Sequence, residues 1–198
     1  MTSPKLTLAP TSARVPLGER ADEELMALGA AGSQAAFAVL VERYMRRVAS
    51  YCTKLTGDRD AAPELAQDTF LQIWLHRERY RPERPFRVFL FTVATNRSRN
   101  HNRWWRRRSR STTTAEQTDV QLSDPDQLDE LLARERRRRV HEAIGALSPR
   151  LREVILLRFE QGLDYTEIAA IVGRPEATIR TRVFHALEKL REHIAEVP

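Results

Sequence analysis

The sequence contains a single cysteine in 198 residues, which excludes an internal disulfide framework and a cysteine-rich zinc site. It has no apolar run close to the roughly 20 residues that a helix needs to span a bilayer. Its N-terminus lacks the apolar block of a signal peptide. The five histidines show no metal-ligand spacing with one another or with Cys52. These absences predict a cytoplasmic protein that holds no metal.

The motifs of common enzyme classes are also missing. The seven glycines form neither G-x-x-x-x-G-K nor G-x-G-x-x-G, so no loop for binding nucleotide phosphates is evident. No paired carboxylates and no nucleophile stand in a plausible catalytic constellation. The sequence therefore predicts a protein that is not an enzyme and needs no cofactor.

Charge is plentiful and unevenly distributed. There are 33 Lys and Arg against 27 Asp and Glu, so the net charge is +6, which favours a polyanionic partner. Residues 97–110 contain seven arginines and no acid, whereas 111–130 contain six acids and no base. The acidic stretch has too few apolar residues to offset its ordering entropy. We predict a disordered tail (1–20), a domain (21–110), a flexible acidic linker (111–130) and a second domain (131–198).

Hydrophobic periodicity in both domains is helical. Apolar residues recur at i, i+3, i+4 and i+7 from Phe37 to Leu55, with Ser33 as a plausible N-cap and Gly57 as a stop. Similar patterns follow at 62–73 and from residue 86, and a short helix near 22–28 precedes them. No segment alternates with period two, so we expect an all-α protein without a sheet.

The second domain has the pattern of a helix-turn-helix. Asp124-Pro125 and Ser148-Pro149 each combine an N-cap with proline at the first helical position. Asp164 and Glu167 form a D-x-x-E capping box, Gly173 ends a very short helix, and Pro175 opens the last one. This order favours a DNA-reading module over a plain three-helix bundle with a basic solvated face, which is the alternative.

The last helix has an apolar stripe that contains Ile179 and Val183, and polar residues point away from it. Arg180 can donate two hydrogen bonds to a guanine edge, and Phe184 can contact a thymine methyl. The candidate DNA-binding residues of this helix are Thr178, Arg180, Thr181, Arg182, Phe184 and His185.

A basic aromatic stretch ends the first domain and suits melted DNA. Arginines neutralise phosphates, asparagines pair with base edges, and tryptophans stack on unpaired bases. The candidate residues are Asn96, Arg97, Asn100, Arg103 and Trp104. The alternatives are a solvated helix end for the arginines and core packing for Trp104 or Trp105.

Three ordered blocks within 21–194 resemble the extracytoplasmic-function (ECF, group IV) sigma factors of bacterial RNA polymerase. LTGDRDAAPELAQDTFLQIW (55–74) is similar to the family's regions 2.1–2.2, and PFRVFLFTVATNRSRNHNRWWRRR (85–108) to regions 2.3–2.4. The block from LSPRLREV to EKLRE (147–192) resembles region 4 nearly end to end. The resemblance implies two small helical domains, region 2 and region 4, joined by the linker.

The resemblance also implies roles. The family docks region 2.2 on the clamp helices of the polymerase β′ subunit, for which the matching outward residues here are Asp60, Glu64, Gln67, Asp68, Leu71 and Gln72. The alternative to polymerase binding is that these residues form an acidic helix face exposed to solvent. Asn96 and Asn100 stand where the family reads the −10 element, and the loop from about 77 to 85 matches the pocket for a flipped base. Region 4 reads the −35 element and contacts the β flap.

Some positions depart from the family pattern. His185 and Leu187 stand where many relatives carry arginine, which puts the −35 sequence in doubt, and the Trp104-Trp105 pair is not part of the pattern. Family members are commonly held inactive by an anti-sigma factor, so such a partner is expected beside polymerase and promoter DNA.

Two other classes stay open at the sequence level. A stand-alone helix-turn-helix regulator explains 147–194 but leaves 85–110 and the linker without a role. The other class is a protein-binding adaptor, in which the basic face has no role in binding DNA. The promoter sequence, the inducing signal, the identity and anchoring of an inhibitor, and the arrangement of the two domains do not follow from the sequence.

Overall fold

In the computed structural model, residues 15–108 and 128–195 are described, and every regular element in these ranges is helical. Three short turns of other helix types accompany the α-helices, at Leu17–Glu19, Arg77–Arg79 and Leu156–Glu160. The α-helices of the described ranges are α1 (Asp22–Ala30), α2 (Gln34–Thr56), α3 (Ala62–Leu75), α4 (Phe86–Arg108), α5 (Leu128–Ala146), α6 (Pro149–Ile155), α7 (Tyr165–Val172) and α8 (Glu176–Ala195). The all-α prediction is confirmed.

Local signals set the helix ends where the sequence predicts them. The Ser33 hydroxyl accepts from the Ala36 N–H at 3.3 Å and begins α2. Gly57 ends α2 with φ of 79°, and Gly173 ends α7 with φ of 69°, a left-handed conformation that favours glycine. Both bonds of the capping box between Asp164 and Glu167 are present at the start of α7.

Two segments differ from the sequence analysis, and a third lies outside the described residues. Residues 15–20, assigned to a disordered tail, include the turn at Leu17–Glu19, and the Arg20 carbonyl accepts from Arg43 at 2.9 Å. The helix that begins at Pro149 widens into a π-helical turn at Leu156–Glu160 instead of continuing regularly toward Gly162. The Asp124-Pro125 start and the linker up to residue 127 lie outside the described residues.

Helices α1–α4 form the first domain, around an aromatic core. Phe37 packs against Trp74, with ring centroids 5.1 Å apart, and Tyr51 meets Phe91 edge to face at 5.3 Å. The hydroxyl of the fully buried Tyr51 shares a 2.7 Å hydrogen bond with Thr95, so its polar end is satisfied. Cys52 is fully buried beside this pair, and burial raises the pKa of its thiol, consistent with an inert core residue.

Helices α5–α8 form the second domain, which packs against the first. Helix α7 lies on α4, while α6 and the π-helical turn lie on α2. Among the described residues, three ion pairs cross this boundary: Arg99–Glu153 at 2.5 Å, Arg87–Glu167 at 2.6 Å and Lys54–Glu160 at 2.8 Å. We call these six residues the interdomain contact.

The packing of the two domains also has an apolar component, because buried side chains of both domains belong to one hydrophobic cluster. Within 15–108 and 128–195, no helix is both long enough and apolar enough to pass through a membrane.

The turn before α3 depends on Asp58. Its carboxylate accepts from the backbone N–H groups of Asp60 at 3.1 Å and Ala61 at 3.0 Å, and it lies 3.2 Å from the His101 ring. Burial opposes ionisation of Asp58, but these donors outweigh it and hold the pKa of the carboxyl below its ordinary value. The ionised form of Asp58 therefore stabilises the fold.

Replacing Asp58 with alanine is expected to lower the free energy of unfolding by about 1 kcal/mol at neutral pH, because two N–H groups lose their cap. A carboxyl whose pKa is lower in the folded than in the unfolded protein stabilises the fold at a pH above its unfolded pKa of about 4. This stabilisation is lost as the pH falls through its folded pKa. The difference between variant and wild type should accordingly shrink below about pH 4. Urea denaturation measures it, with Asp60→Ala as the exposed control; equal losses in the two variants would contradict the assignment.

Candidate nucleic-acid interface

Helix α8 buries one stripe and exposes the side opposite to it. Ile179 and Ala186 are fully buried against α6 and α7, and Val183 is nearly so. The exposed side holds most of the sequence-predicted set, as 3.6-residue periodicity requires. Arg180, Thr181, Phe184 and His185 are exposed, whereas Thr178 and Arg182 are half-buried.

Arg180 is presented at the start of this helix by local contacts. Its guanidinium pairs with Glu176 at 2.6 Å and lies over the Tyr165 ring, 4.4 Å from the centroid. Glu176 in turn accepts from the Thr166 hydroxyl at 2.9 Å, and these donors lower the pKa of its carboxyl. Tyr165 and Thr166 of α7 thus help to orient the exposed Arg180 side chain of α8.

Arg182 lies in a strongly basic environment on the flank of α8. Burial and the neighbouring charge of Arg150 lower the pKa of its guanidinium, Glu153 opposes them, and Arg174 and Arg99 add to the lowering. Arginines that destabilise one another's charge attract an anion such as a DNA phosphate. Sequence analysis missed Arg150 and Arg174, since neither stands on the last helix.

Phe184 leaves a large apolar surface open on α8. It is 57% exposed, and its ring lies 5.7 Å from that of His185, centroid to centroid. The His185 ring is 3.1 Å from a Glu188 carboxylate oxygen. An exposed aromatic ring beside polar side chains on one helix face can contact a thymine methyl in the major groove.

Helix α4 provides a second polar face. Asn96, Asn100, Arg103 and Trp104 are exposed, while Thr95 and Ser98 on the other side are fully buried. The spacing i, i+4 and i+7 of the first three aligns them along one side of the helix. The structure therefore brings together four of the five predicted −10 residues.

The fifth residue, Arg97, differs in its surroundings. It is half-buried and pairs with Asp68 of α3 at 3.0 Å. This pair joins a predicted DNA-binding residue to a predicted polymerase-binding residue, and it orients both side chains. Trp105 lies on α4, but its side chain is outside the described set.

The loop between α3 and α4 leads into the first turn of α4. Residues 81–85 are exposed, whereas Tyr80 is buried and its hydroxyl donates to the Arg84 carbonyl at 3.1 Å. The Tyr80 ring packs on Phe89 with a centroid separation of 5.6 Å. The loop is therefore an exposed rim on a buried aromatic base.

Helix α3 and the turn before it expose the predicted polymerase-binding residues. Asp60, Glu64, Gln67 and Leu71 are exposed, and Asp68 and Gln72 are half-buried. Sequence analysis missed Leu75, which is 52% exposed one turn after Leu71, itself 53% exposed. The i, i+4 spacing of the two leucines was the available signal.

No cluster of three His, Cys, Asp or Glu side chains suited to a metal ion occurs within the part of the chain that the structure describes. The described residues form three exposed surfaces: a face of α4 with Asn and Arg, a face of α8 with Arg, Thr, Phe and His, and a face of α3 with leucines. Surfaces of this composition are suited to contacts with macromolecules.

Comparison with protein families divides the chain in the same way. The Sigma-70 region 2 family matches residues 40–111, and the Sigma-70 region 4 family matches residues 137–190. Both matches fall on the two helical domains and leave the acidic stretch mostly between them.

Curated relatives match across both domains. The ECF RNA polymerase sigma-E factor of Haemophilus influenzae is 32% identical over 180 residues, which cover 87% of this chain and 95% of the relative. The protein of the same name from Escherichia coli is 33% identical over 168 residues, or 80% of this chain and 86% of the relative.

Solved structures share the fold. CnrH, in complex with the cytosolic domain of CnrY, superposes with a TM-score of 0.69 at 27% identity over 90% of this chain and 100% of that one. The sigma factor RpoE of Bartonella quintana, in complex with the anti-sigma factor NepR, has a TM-score of 0.66 at 23% identity, with 82% and 98% covered. The second likeness concerns the fold alone.

Proposed function

Because the chain belongs to the ECF family of RNA polymerase sigma factors, we propose that it directs core RNA polymerase to promoters. It binds the core enzyme, recognises the −35 and −10 elements, and promotes melting of the −10 duplex. The observation that supports this proposal best is the pair of exposed polar faces on α4 and α8, in two domains that both match the family. A stand-alone helix-turn-helix regulator is not favoured, since the relatives extend over both domains.

The −35 element is read by the exposed face of α8. Arg180 reads a base edge, with Thr181, Phe184 and His185 beside it, and the half-buried Thr178 and Arg182 contact phosphates. Phosphate contacts fix the register of the helix, while base contacts provide the specificity.

The −10 element is read by α4 and the loop at 77–85. Asn96 and Asn100 face the bases, with Arg97 and Arg103 on the phosphates. Trp104, which is 50% exposed, stacks on an unpaired base. The adjacent loop captures a base flipped from the non-template strand. We place the region 2 domain at 21–110, the linker at 111–130 and the region 4 domain at 131–198.

The other partners follow from the same assignment. The outward face of α3 binds the β′ clamp helices, and region 4 contacts the β flap. An anti-sigma factor is the expected regulator. The chain supplies specificity and no bond chemistry, requires no cofactor, and acts in the cytoplasm, where the polymerase transcribes.

The test is in vitro transcription with purified bacterial core polymerase on a randomised-promoter library, with and without this protein. Transcripts that share one pair of −35 and −10 motifs are the expected result, and they also give the specificity. Absence of stimulation despite a proven complex with core polymerase would contradict the proposal and favour an adaptor. Absence of any complex would revive the stand-alone regulator.

The exposed leucines of α3 predict a separate effect on polymerase binding. Leu71→Asp and Leu75→Asp should each weaken the affinity for core polymerase at least tenfold, because a charge is then buried in an apolar contact. Binding of fluorescently labelled protein to core polymerase measures this, and thermal unfolding should be unchanged. The control is Glu24→Ala, an exposed change on α1. Leu190→Asp would not serve, because it places a charge at a half-buried position of the other domain.

A further inference from the structure

The first residue of the −10 reading helix is held by a carboxylate from a distant part of the chain. The backbone N–H of Phe86 donates to Glu23 Oε1 at 2.9 Å, and the two residues are 63 positions apart. The first N–H groups of a helix have no partner within the helix and carry a positive partial charge, so a carboxylate is a favourable acceptor. Pro85, the residue before α4, has no side-chain oxygen that can do this locally.

Helix α1, which carries this carboxylate, is itself firmly placed. Asp22 forms a 2.6 Å salt bridge with Arg43 and accepts a short hydrogen bond from the Tyr44 hydroxyl. Arg43 and Tyr44 both lie on α2. Leu25 and Met26, one turn further along, are fully buried. Glu23 therefore extends from a fixed backbone toward the start of α4.

The same point is the base of the loop at 77–85. The Tyr80 ring lies edge to face against Phe86, with centroids 6.4 Å apart, and Phe86 also meets Tyr44 at 5.7 Å. Burial and the charges of Glu23, Asp22 and Glu83 raise the pKa of Tyr80 to about 12, so the acidic end of α1 lies close to the loop. The exposed residues 81–85 are thus fixed at one end by a buried ring and at the other by the Phe86 N–H.

We propose that Glu23 is a positioning residue for capture of the flipped −10 base. This inference rests on the proposed function, because the loop at 77–85 is the base-capturing segment there. Glu23 touches no DNA; it fixes the first turn of α4 and hence the end of the loop. A binding constellation has to be held within roughly 0.5 Å, so a loosened base reduces capture even when the fold survives.

The expected effect is selective. Helix caps contribute about 1 kcal/mol, equivalent to a change of about fivefold in an equilibrium. Glu23→Ala should weaken binding to unpaired −10 DNA about fivefold. Glu23→Gln, which keeps an acceptor oxygen but loses the charge, should remain within about twofold. Binding to the −35 duplex and to core polymerase should not change, because the hydrogen bond of Glu23 holds the start of α4 and involves neither α8 nor the outward face of α3.

The experiment uses holoenzyme reconstituted from core polymerase and the full chain. The probes are two DNAs from a promoter found in the library screen: a fork whose −10 non-template strand is unpaired, and a duplex with the −35 element alone. Glu24→Ala is the matched control, since Glu24 is the adjacent acid and is exposed. The midpoint of urea denaturation of each free variant is recorded in parallel.

Loss on the fork alone, with Glu23→Gln restoring most of it, supports the proposal. Equal affinities for the fork in Glu23→Ala and Glu24→Ala overturn it, as does an equal loss on both probes. If Glu23→Ala fails to fold, Glu23→Gln decides, because it should show a small loss of affinity for the fork alone. If Glu23→Gln binds the fork with wild-type affinity and also keeps wild-type amide protection at Phe86, the proposal is overturned.

Failure of the proposed function itself looks different. In that case the wild-type protein does not stimulate transcription at all. Amide hydrogen exchange in the free chain then still tests the positioning contact, because Glu23→Ala should speed exchange at Phe86 and in residues 80–84 at least fivefold, and Glu24→Ala should not. Unchanged exchange overturns the contact independently of any DNA.

Discussion

Replacing Arg180 with alanine is expected to weaken promoter binding about 5- to 150-fold at one base pair of the −35 element, and much less at the others. A bidentate arginine contact to guanine contributes about 1–3 kcal/mol of discrimination, which converts to that range. The pair with Glu176 has to be broken for this contact, but an exposed i,i+4 pair is worth only about 0.3–0.5 kcal/mol. The base contact therefore contributes more free energy than the broken pair with Glu176 costs.

The measurement is transcription from a panel of promoters in which each −35 base pair is varied in turn. Arg182→Ala is the matched control, because a phosphate contact weakens every sequence alike and lowers the slope of log K against log salt by about 1. If Arg180→Ala reduced all promoters equally, Arg180 would be a phosphate contact, and the base-reading role would have to move to Thr181, Phe184 or His185.

Replacing Glu153 with glutamine is expected to lower the free energy of unfolding by about 1.5–3 kcal/mol, the value of a hydrogen bond to a charged group. Glu153 is 5% exposed and accepts two bonds from Arg99, at 2.5 and 3.0 Å. The Arg99 side chain is 33% exposed and can rehydrate, so the loss should stay below the value for a fully buried pair.

A double-mutant cycle of Glu153→Gln with Arg99→Ala, followed by urea denaturation, isolates the term that crosses the domains. Arg87→Ala provides the comparison, because that side chain is 45% exposed and its pair with Glu167 should contribute less than about 1 kcal/mol. Additive effects of the two substitutions on the free energy of unfolding would contradict the ion pair. Fluorescence energy transfer between labels on the two domains reports whether the domains separate in each variant.

Short-range signals predicted most of the fold. The caps at Ser33 and Asp164 and the glycine stops at Gly57 and Gly173 act within one helical turn, so the sequence alone specifies them. The exposed face of α8 also followed from its apolar stripe, since one period fixes both the buried and the open side. The π-helical turn at Leu156–Glu160 did not follow, because the apolar pattern of a helix changes little when one turn widens.

Contacts between distant parts of the chain were not predictable in this way. Glu153, Glu160 and Glu167 look like ordinary polar helix positions, and only the packing of the second domain on the first reveals their partners. Likewise, the bond from Phe86 to Glu23 needs the placement of α1 beside α4. Of the −10 residues, Arg97 was predicted for DNA alone, and its pair with Asp68 depends on the packing of α3 on α4.

The interdomain contact has a consequence for how many molecules are ready to bind a promoter. Elements centred 35 and 10 base pairs before the start site are separated by 25 steps of about 3.4 Å, or roughly 85 Å. Helix α8 packs on α7 and α7 on α4, and packed helices lie 8–10 Å apart, so both reading helices lie within about 20 Å.

With α8 and α4 as the proposed readers of the −35 and −10 elements, one promoter meets both faces only after the domains separate. Each 1.4 kcal/mol that the contact contributes makes the separated population about tenfold smaller and the apparent affinity for promoter-bound polymerase about tenfold weaker. A ligand that binds the closed arrangement more tightly than the separated one lowers transcription by mass action alone, without touching a single base-reading residue.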